Sequence, residues 1–238
     1  MTKRIAMWSG PRNLSTAMMY SFAQRSDARV VDEPFYAAYL NITGLEHPMR
    51  DDVLASQPQD PDAVAASLVS ESDAPVYYQK HMCQHMIDGI PRDWMGEVTN
   101  VFLLRHPARV VASFAKGYPA LTAHDIGFAL QAELFDHCLA LGARPVVVDS
   151  ADIREDPEGM LGKLCDAIGI PFDPAMLNWP AGGNPADGVW APVWYGSLHQ
   201  STGFAGPEGP LPDLSGRHAE IADAALRHYT RLSEHKLT

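Results

Sequence analysis

Short, nearly continuous apolar runs alternate along the chain with longer stretches in which apolar positions return every three or four residues. The runs fall at 5–8, 29–31, 76–79, 101–104 and 145–148, each of strand length and without the in–out alternation of a sheet with one wet face. Strands apolar on both sides and separated by helical segments predict a parallel sheet covered on both faces. The expected fold is α/β, three layers (α/β/α) around about five central strands. Helical spacing appears where Leu14, Ala17, Met18, Ser21 and Phe22 recur, then over 108–116. It returns over 125–141, with Ile126, Leu130, Leu134, Cys138 and Leu141 on one stripe, and from Gly216 to about Leu232. Between Asn178 and Asp213 the pattern dissolves into Pro- and Gly-rich text. The expectation is one domain over 1–238 with an irregular lid or acceptor region at about 178–213.

The first strand runs directly into Ser9-Gly10-Pro11-Arg12-Asn13-Leu14-Ser15-Thr16 and then into a helix. Asn13 is expected to cap that helix, so that its first amides and the positive end of its dipole face the turn. With Arg12, Ser15 and Thr16 the turn offers a cation, two hydroxyls and free N–H groups to a phosphate or sulfate. It is no Walker A loop, which needs a second Gly and a Lys. A second candidate lies ninety residues on: Arg105 at the tip of the 101–104 strand, Pro107 opening a helix, and Arg109 and Ser113 on that helix. An unpaired guanidinium is costly to bury, so an Arg at a strand tip reads as a ligand group.

Composition narrows the ligand. The chain has 238 residues, 46% of them hydrophobic, and carries 29 acids against 18 Lys and Arg, a net charge of −11. Such a chain repels nucleic acid and anionic membranes as a whole, so its basic groups are local exceptions suited to a small anion. Cys83, Cys138 and Cys165 lack metal or redox spacing and read as reduced, packed thiols; no metal is expected. No apolar run reaches the length of a signal peptide core or a membrane span, and a cytoplasmic location is the expectation.

These segments together resemble the sulfotransferases that use 3′-phosphoadenosine 5′-phosphosulfate. In that family a strand–loop–helix turn binds the 5′-phosphosulfate, and an Arg with a Ser eight residues later grips the 3′-phosphate. Arg105 and Ser113 match that pair. Val146-Val-Val-Asp-Ser150, Asp156-Pro-Glu and Ile168-Gly-Ile-Pro-Phe172 are similar to the family's later strand, its Asp-Pro helix and its ending. The resemblance implies a P-loop nucleotide-kinase-like fold, 3′-phosphoadenosine 5′-phosphosulfate as donor and adenosine 3′,5′-bisphosphate as product. It also implies a small acceptor with a hydroxyl or amine, and a Gly-containing late segment, Ser201-Thr202-Gly203-Phe204, closing over the donor. The chain departs from the best-studied members in carrying Arg12 where they have Lys.

Sulfonate transfer requires a base for the acceptor's proton and positive charge for the leaving phosphate. Glu33, after the second strand and fixed by Pro34, resembles the base of several carbohydrate-acting branches. His81, in Lys80-His81-Met82, follows the third strand near where cytosolic branches carry Lys-x-His. The reading favours Glu33 as base, Lys80 and Arg12 as electrostatic clamps, and His81 orienting the acceptor. Trp190, Trp194 and Tyr195 either line an acceptor pocket or seal a core. Two alternatives stand beside this one: a P-loop-like phosphotransferase using Asp149 for magnesium, and a catalytically silent nucleotide-binding module.

Overall fold

The computed structural model describes residues 2–238. Its strands are β1 (Lys3–Ser9), β2 (Ala28–Asp32), β3 (Val76–Met82), β4 (Thr99–Leu104) and β5 (Val146–Asp149). They form one sheet in the order β2-β3-β1-β4-β5, and every pairing is parallel. The helices, in chain order, are α1 (Ser15–Ala23), α2 (Tyr36–Thr43), α3 (Arg50–Ser56), α4 (Pro61–Val69), α5 (Pro107–Phe114) and α6 (Phe128–Ala140). There follow α7 (Ser150–Glu155), α8 (Pro157–Ile168), the single turns α9 (Ala191–Trp194) and α10 (Gly196–His199), and α11 (Gly216–Ser233).

β1 lies at the centre, and strand alternation divides its side chains between two cores. Ile5 and Met7 pack with Met18, Phe22, Leu161 and Leu164 of α1 and α8; Ala6 and Trp8 pack on the opposite face with Trp94, Phe102, Phe135 and Leu232. The sheet is therefore buried on both faces, as the unbroken apolar runs anticipate. The strand order turns back at β1, which places the loops after β1, β2, β3 and β4 around one crevice at the carboxyl edge.

Three local expectations shift. The helix expected over 125–141 starts at Phe128: Asp125 Oδ2 accepts the Thr122 N–H at 2.7 Å and closes a turn instead, and Gly127 enters the helix at φ 71°. The last strand ends on Asp149, whose carboxylate caps α7 through the Ala151 N–H at 2.8 Å. Asn13 is not the cap of α1. That place belongs to Leu14 at φ 70°, while the buried Asn13 amide donates to Leu103 O at 2.8 Å and ties the loop to β4.

Candidate active site

The crevice is a cleft of about 670 Å³ running from the loop after β1, past Glu33 and Lys80, to the aromatic segment around Trp194. On its first wall the backbone of Arg12 (φ 60°) and Leu14 (φ 70°) is left-handed. Left-handed residues cost a side-chain-bearing position about 1–2 kcal/mol, and such turns gather successive amides into an anion-binding hollow. The first N–H of α1 spent inside the helix end is that of Met18, on Leu14 O at 3.0 Å. Among the described residues, the Ser15, Thr16 and Ala17 amides have no backbone acceptor.

Gly10 is the pivot of this turn, because a Cβ there would overlap the backbone carbonyl of Ile126. Ser9 is fully buried beneath the loop, and Pro11 through Thr16 line the cleft. The second segment meets the first here. Arg12 Nε donates to Ser113 Oγ at 3.0 Å, and Arg105 Nη1 donates to the Arg12 carbonyl at 2.5 Å. Burial, with the Arg105 charge beside it, lowers the Arg12 pKa. Two guanidiniums this close, with two hydroxyls and free amides, make a donor set for an anion with several oxygens. The late segment adds Ser201, Gly203 and Phe204 to the lining. Thr202 contributes backbone: its carbonyl accepts the Trp179 N–H at 3.1 Å.

Across the cleft Lys80 is buried, and its ammonium has three partners: Asp32 Oδ1 at 2.8 Å, Glu33 Oε1 at 2.6 Å and Tyr195 Oη at 2.7 Å. An ammonium has three protons, so none remains for a transferring group. This corrects Lys80 as a direct clamp; its geometry makes it the holder of Glu33. Burial pulls the Lys80 pKa down, but the Asp32 and Glu33 charges more than offset it and the net direction is up. Burial likewise pushes Asp32 up, against the pull of Lys80. Tyr195 completes the knot, donating to Asp32 Oδ2 at 2.8 Å and accepting the Trp190 indole N–H at 2.9 Å.

Glu33 sits at φ 42° just past β2, its N–H on Lys80 O at 2.9 Å. A left-handed non-glycine residue between a strand and Pro34 is backbone strain of the kind found at functional sites. Its Oε1 is occupied by Lys80. Among the described residues, Oε2 has only His85 Nε2 nearby, at 3.9 Å. His85 is held between Tyr36 and Tyr39, with ring centroids at 4.7 and 4.9 Å, and burial pushes its pKa well down, leaving it neutral.

His81 is placed differently from expectation. Strand alternation sends Lys80 and Met82 to the cleft and His81 to the opposite face, where it stacks on Trp8 at 4.5 Å. Burial lowers its pKa to about 3. The acceptor-orienting role given to His81 therefore fails on geometry, and His85 is the histidine in the cleft. Sequence reasoning also passed over Asp32, Tyr195 as an anchor of Lys80, and Glu208, which meets Arg105. Asp32-Glu33 was visible as a pair, but nothing in the text tells that one member is buried against a residue 163 positions away.

A five-stranded parallel sheet flanked by helices, with a turn of free amides running from its central strand into a helix, places the chain in the P-loop-like α/β class. The sulfotransferase domain family matches residues 3–235, and the chain belongs to that family. Its fold is similar to the sulfotransferase domain of the Synechococcus PCC 7002 olefin synthase, with TM-score 0.57 and 18% identity over 94% of this chain and 95% of that one. It is also similar to the sulfotransferase domain from the curacin biosynthetic pathway, with TM-score 0.55 and 16% identity over 94% and 97%. In sequence the chain is 37% and 38% identical, over 97% of its length, to branched-chain-amino-acid aminotransferase-like proteins 2 and 1 of Arabidopsis thaliana. It spans about two fifths of the length of those curated relatives, 41% and 42%.

Proposed function

We propose that this sulfotransferase moves a sulfonate group from 3′-phosphoadenosine 5′-phosphosulfate to a hydroxyl or amine of a small acceptor, with Glu33 as the base. The observation that carries the reading is the asymmetry of the Glu33 carboxylate. One oxygen is held by the Lys80 ammonium at 2.6 Å, and the other is left to the cleft that the Arg12 loop borders.

The donor set fits the cosubstrate. The loop amides, Arg12, Ser15 and Thr16 would hold the phosphosulfate end, and Arg105 with Ser113 the 3′-phosphate, as the family resemblance implies. When bound, the donor supplies the sulfuryl group and leaves as adenosine 3′,5′-bisphosphate. Arg12 and the α1 amides stabilise charge on the departing phosphate. Glu33 Oε2 accepts the proton of the acceptor's nucleophilic atom, while Lys80, itself anchored by Asp32 and Tyr195, keeps the carboxylate from rotating away. Tyr36, Tyr39, Tyr118 and Trp194 give the acceptor half an aromatic lining. A cytoplasmic setting belongs to this reading; the three cysteines are free and buried.

The magnesium-dependent alternative needs Asp149, and that carboxylate is spent on the α7 cap and on the Tyr229 hydroxyl at 2.8 Å. The test is Glu33→Gln, which preserves size and the hydrogen bond from Lys80. Turnover of sulfonate transfer is expected to fall by about two to four decades, the usual worth of a general base, with the affinity for adenosine 3′,5′-bisphosphate nearly unchanged. Undiminished turnover assigns the proton to another group.

A further inference from the structure

Three arginines from separate elements converge on one carboxylate outside the transfer centre. Arg105 leaves the tip of β4, Arg109 lies on α5 and Arg154 on α7, and all three meet Glu208. Glu208 Oε1 accepts from Arg105 Nη2 and from Arg154 Nη1, the latter at 2.8 Å; Arg109 Nε stands 3.3 Å from Oε2. The Glu208 side chain is 6% exposed and the three arginine side chains 16–19%. Its Oε2 nevertheless has no well-aimed hydrogen-bond donor among the described residues. The arginines hold this length of chain elsewhere only through backbone: Arg154 Nε donates to Gly206 O at 2.8 Å, and Arg109 donates to Gly209 O and to Pro210 O, the latter at 3.4 Å. No helix or strand secures residues 205–213.

One carboxylate leaves this trio two charges short of neutrality, and it fills the nest without satisfying it. A phosphate monoester carries up to two negative charges and three terminal oxygens, so it matches three guanidiniums better than a carboxylate does. Arg105 is the member that also lines the cleft, beside Ser113. We infer that Arg105, Arg109 and Arg154 together form a subsite for a phosphate monoester, and that Glu208 is its resting occupant, displaced with the 205–213 strap when the phosphate arrives. The inference rests on the donor reading above and adds Arg109, Arg154 and Glu208 to it.

The test titrates wild type and the Glu208→Gln, Arg109→Ala and Arg154→Ala variants with adenosine 3′,5′-bisphosphate and with adenosine 5′-monophosphate. Hydrogen exchange of residues 205–213 is followed in the wild type with each nucleotide. Removing an internal competitor of charge-assisted strength should tighten bisphosphate binding by roughly tenfold in Glu208→Gln and leave the monophosphate alone. Each arginine variant should weaken only the bisphosphate. In the wild type the bisphosphate, not the monophosphate, should speed exchange of the strap. Equal or weaker bisphosphate binding in a folded Glu208→Gln protein overturns the inference. So does a strap that stays as protected with bisphosphate as without it, a readout that needs no variant. If wild type prefers the bisphosphate while Glu208→Gln gains nothing, this inference alone falls; if wild type shows no such preference, the donor reading falls and takes the inference with it.

Discussion

At the scale of single residues, the site is decided by which face of a strand each side chain takes. Lys80 and His81 are neighbours in sequence, yet one holds the cleft carboxylate and the other stacks on Trp8 in the opposite core. The His81 ring stays neutral in the fold, with its pKa lowered by burial from 6.5 to about 3. Above pH 6.5 it is uncharged folded or unfolded and costs nothing. As the pH falls from there toward 3 the unfolded chain takes up a proton that the folded chain refuses, and stability drops by about 1.4 kcal/mol per pH unit from this group. His81→Phe should therefore flatten the acid limb of a denaturation-against-pH profile, leaving the share that His85 contributes with the same sign. It should also retain most of the sulfonate-transfer turnover. A variant that loses turnover while its acid limb stays steep would return His81 to the catalytic machinery.

At the scale of elements, the strand–turn–helix after β1 was legible because its parts are local. An apolar run, a Gly that a close backbone approach requires, and a helical stripe all sit within the eighteen residues from Ile5 to Phe22. Gly10→Ala should press on the Ile126 carbonyl, cost roughly 1–3 kcal/mol in stability, and displace the turn. Its binding signature should be distinctive: affinity for adenosine 3′,5′-bisphosphate and for adenosine 5′-monophosphate falling together, because the proposed reading gives the turn the 5′ end of both. A loss confined to the bisphosphate would contradict the turn's place in the site. The expected Asn13 cap, by contrast, does not form. Asn is a good cap on local grounds, but its amide is claimed by Leu103 O, ninety residues away, and no local pattern shows that claim. Tyr195 and Glu208 stayed hidden for the same reason. Their partners, Asp32 and Lys80 for one and three arginines for the other, are brought to them by a segment whose path no periodicity predicts. The start of α6 moved from Asp125 to Phe128 because a carboxylate that could open a helix instead closes the turn before it.

At the scale of the molecule, an acidic chain of net charge −11 places Arg12 and Arg105 on the wall of a cleft that Glu33 also lines, with Arg109 and Arg154 meeting Arg105 at Glu208. On the proposed reading this arrangement gives the reaction its direction: the anionic donor would be drawn to the arginines, and the acceptor's proton would be taken at the Glu33 carboxylate. It depends on two segments ninety residues apart, the loop after β1 and the tip of β4, being welded into one site by the bonds from Arg12 to Ser113 and from Arg105 to the Arg12 carbonyl. The most direct measurement is calorimetric titration of wild type and Arg105→Ala with adenosine 3′,5′-bisphosphate and adenosine 5′-monophosphate. The account predicts that the variant loses roughly 1.5–3 kcal/mol, about one to two decades, toward the bisphosphate and little toward the monophosphate. Equal losses toward both nucleotides, or a wild type that binds them alike, would contradict it.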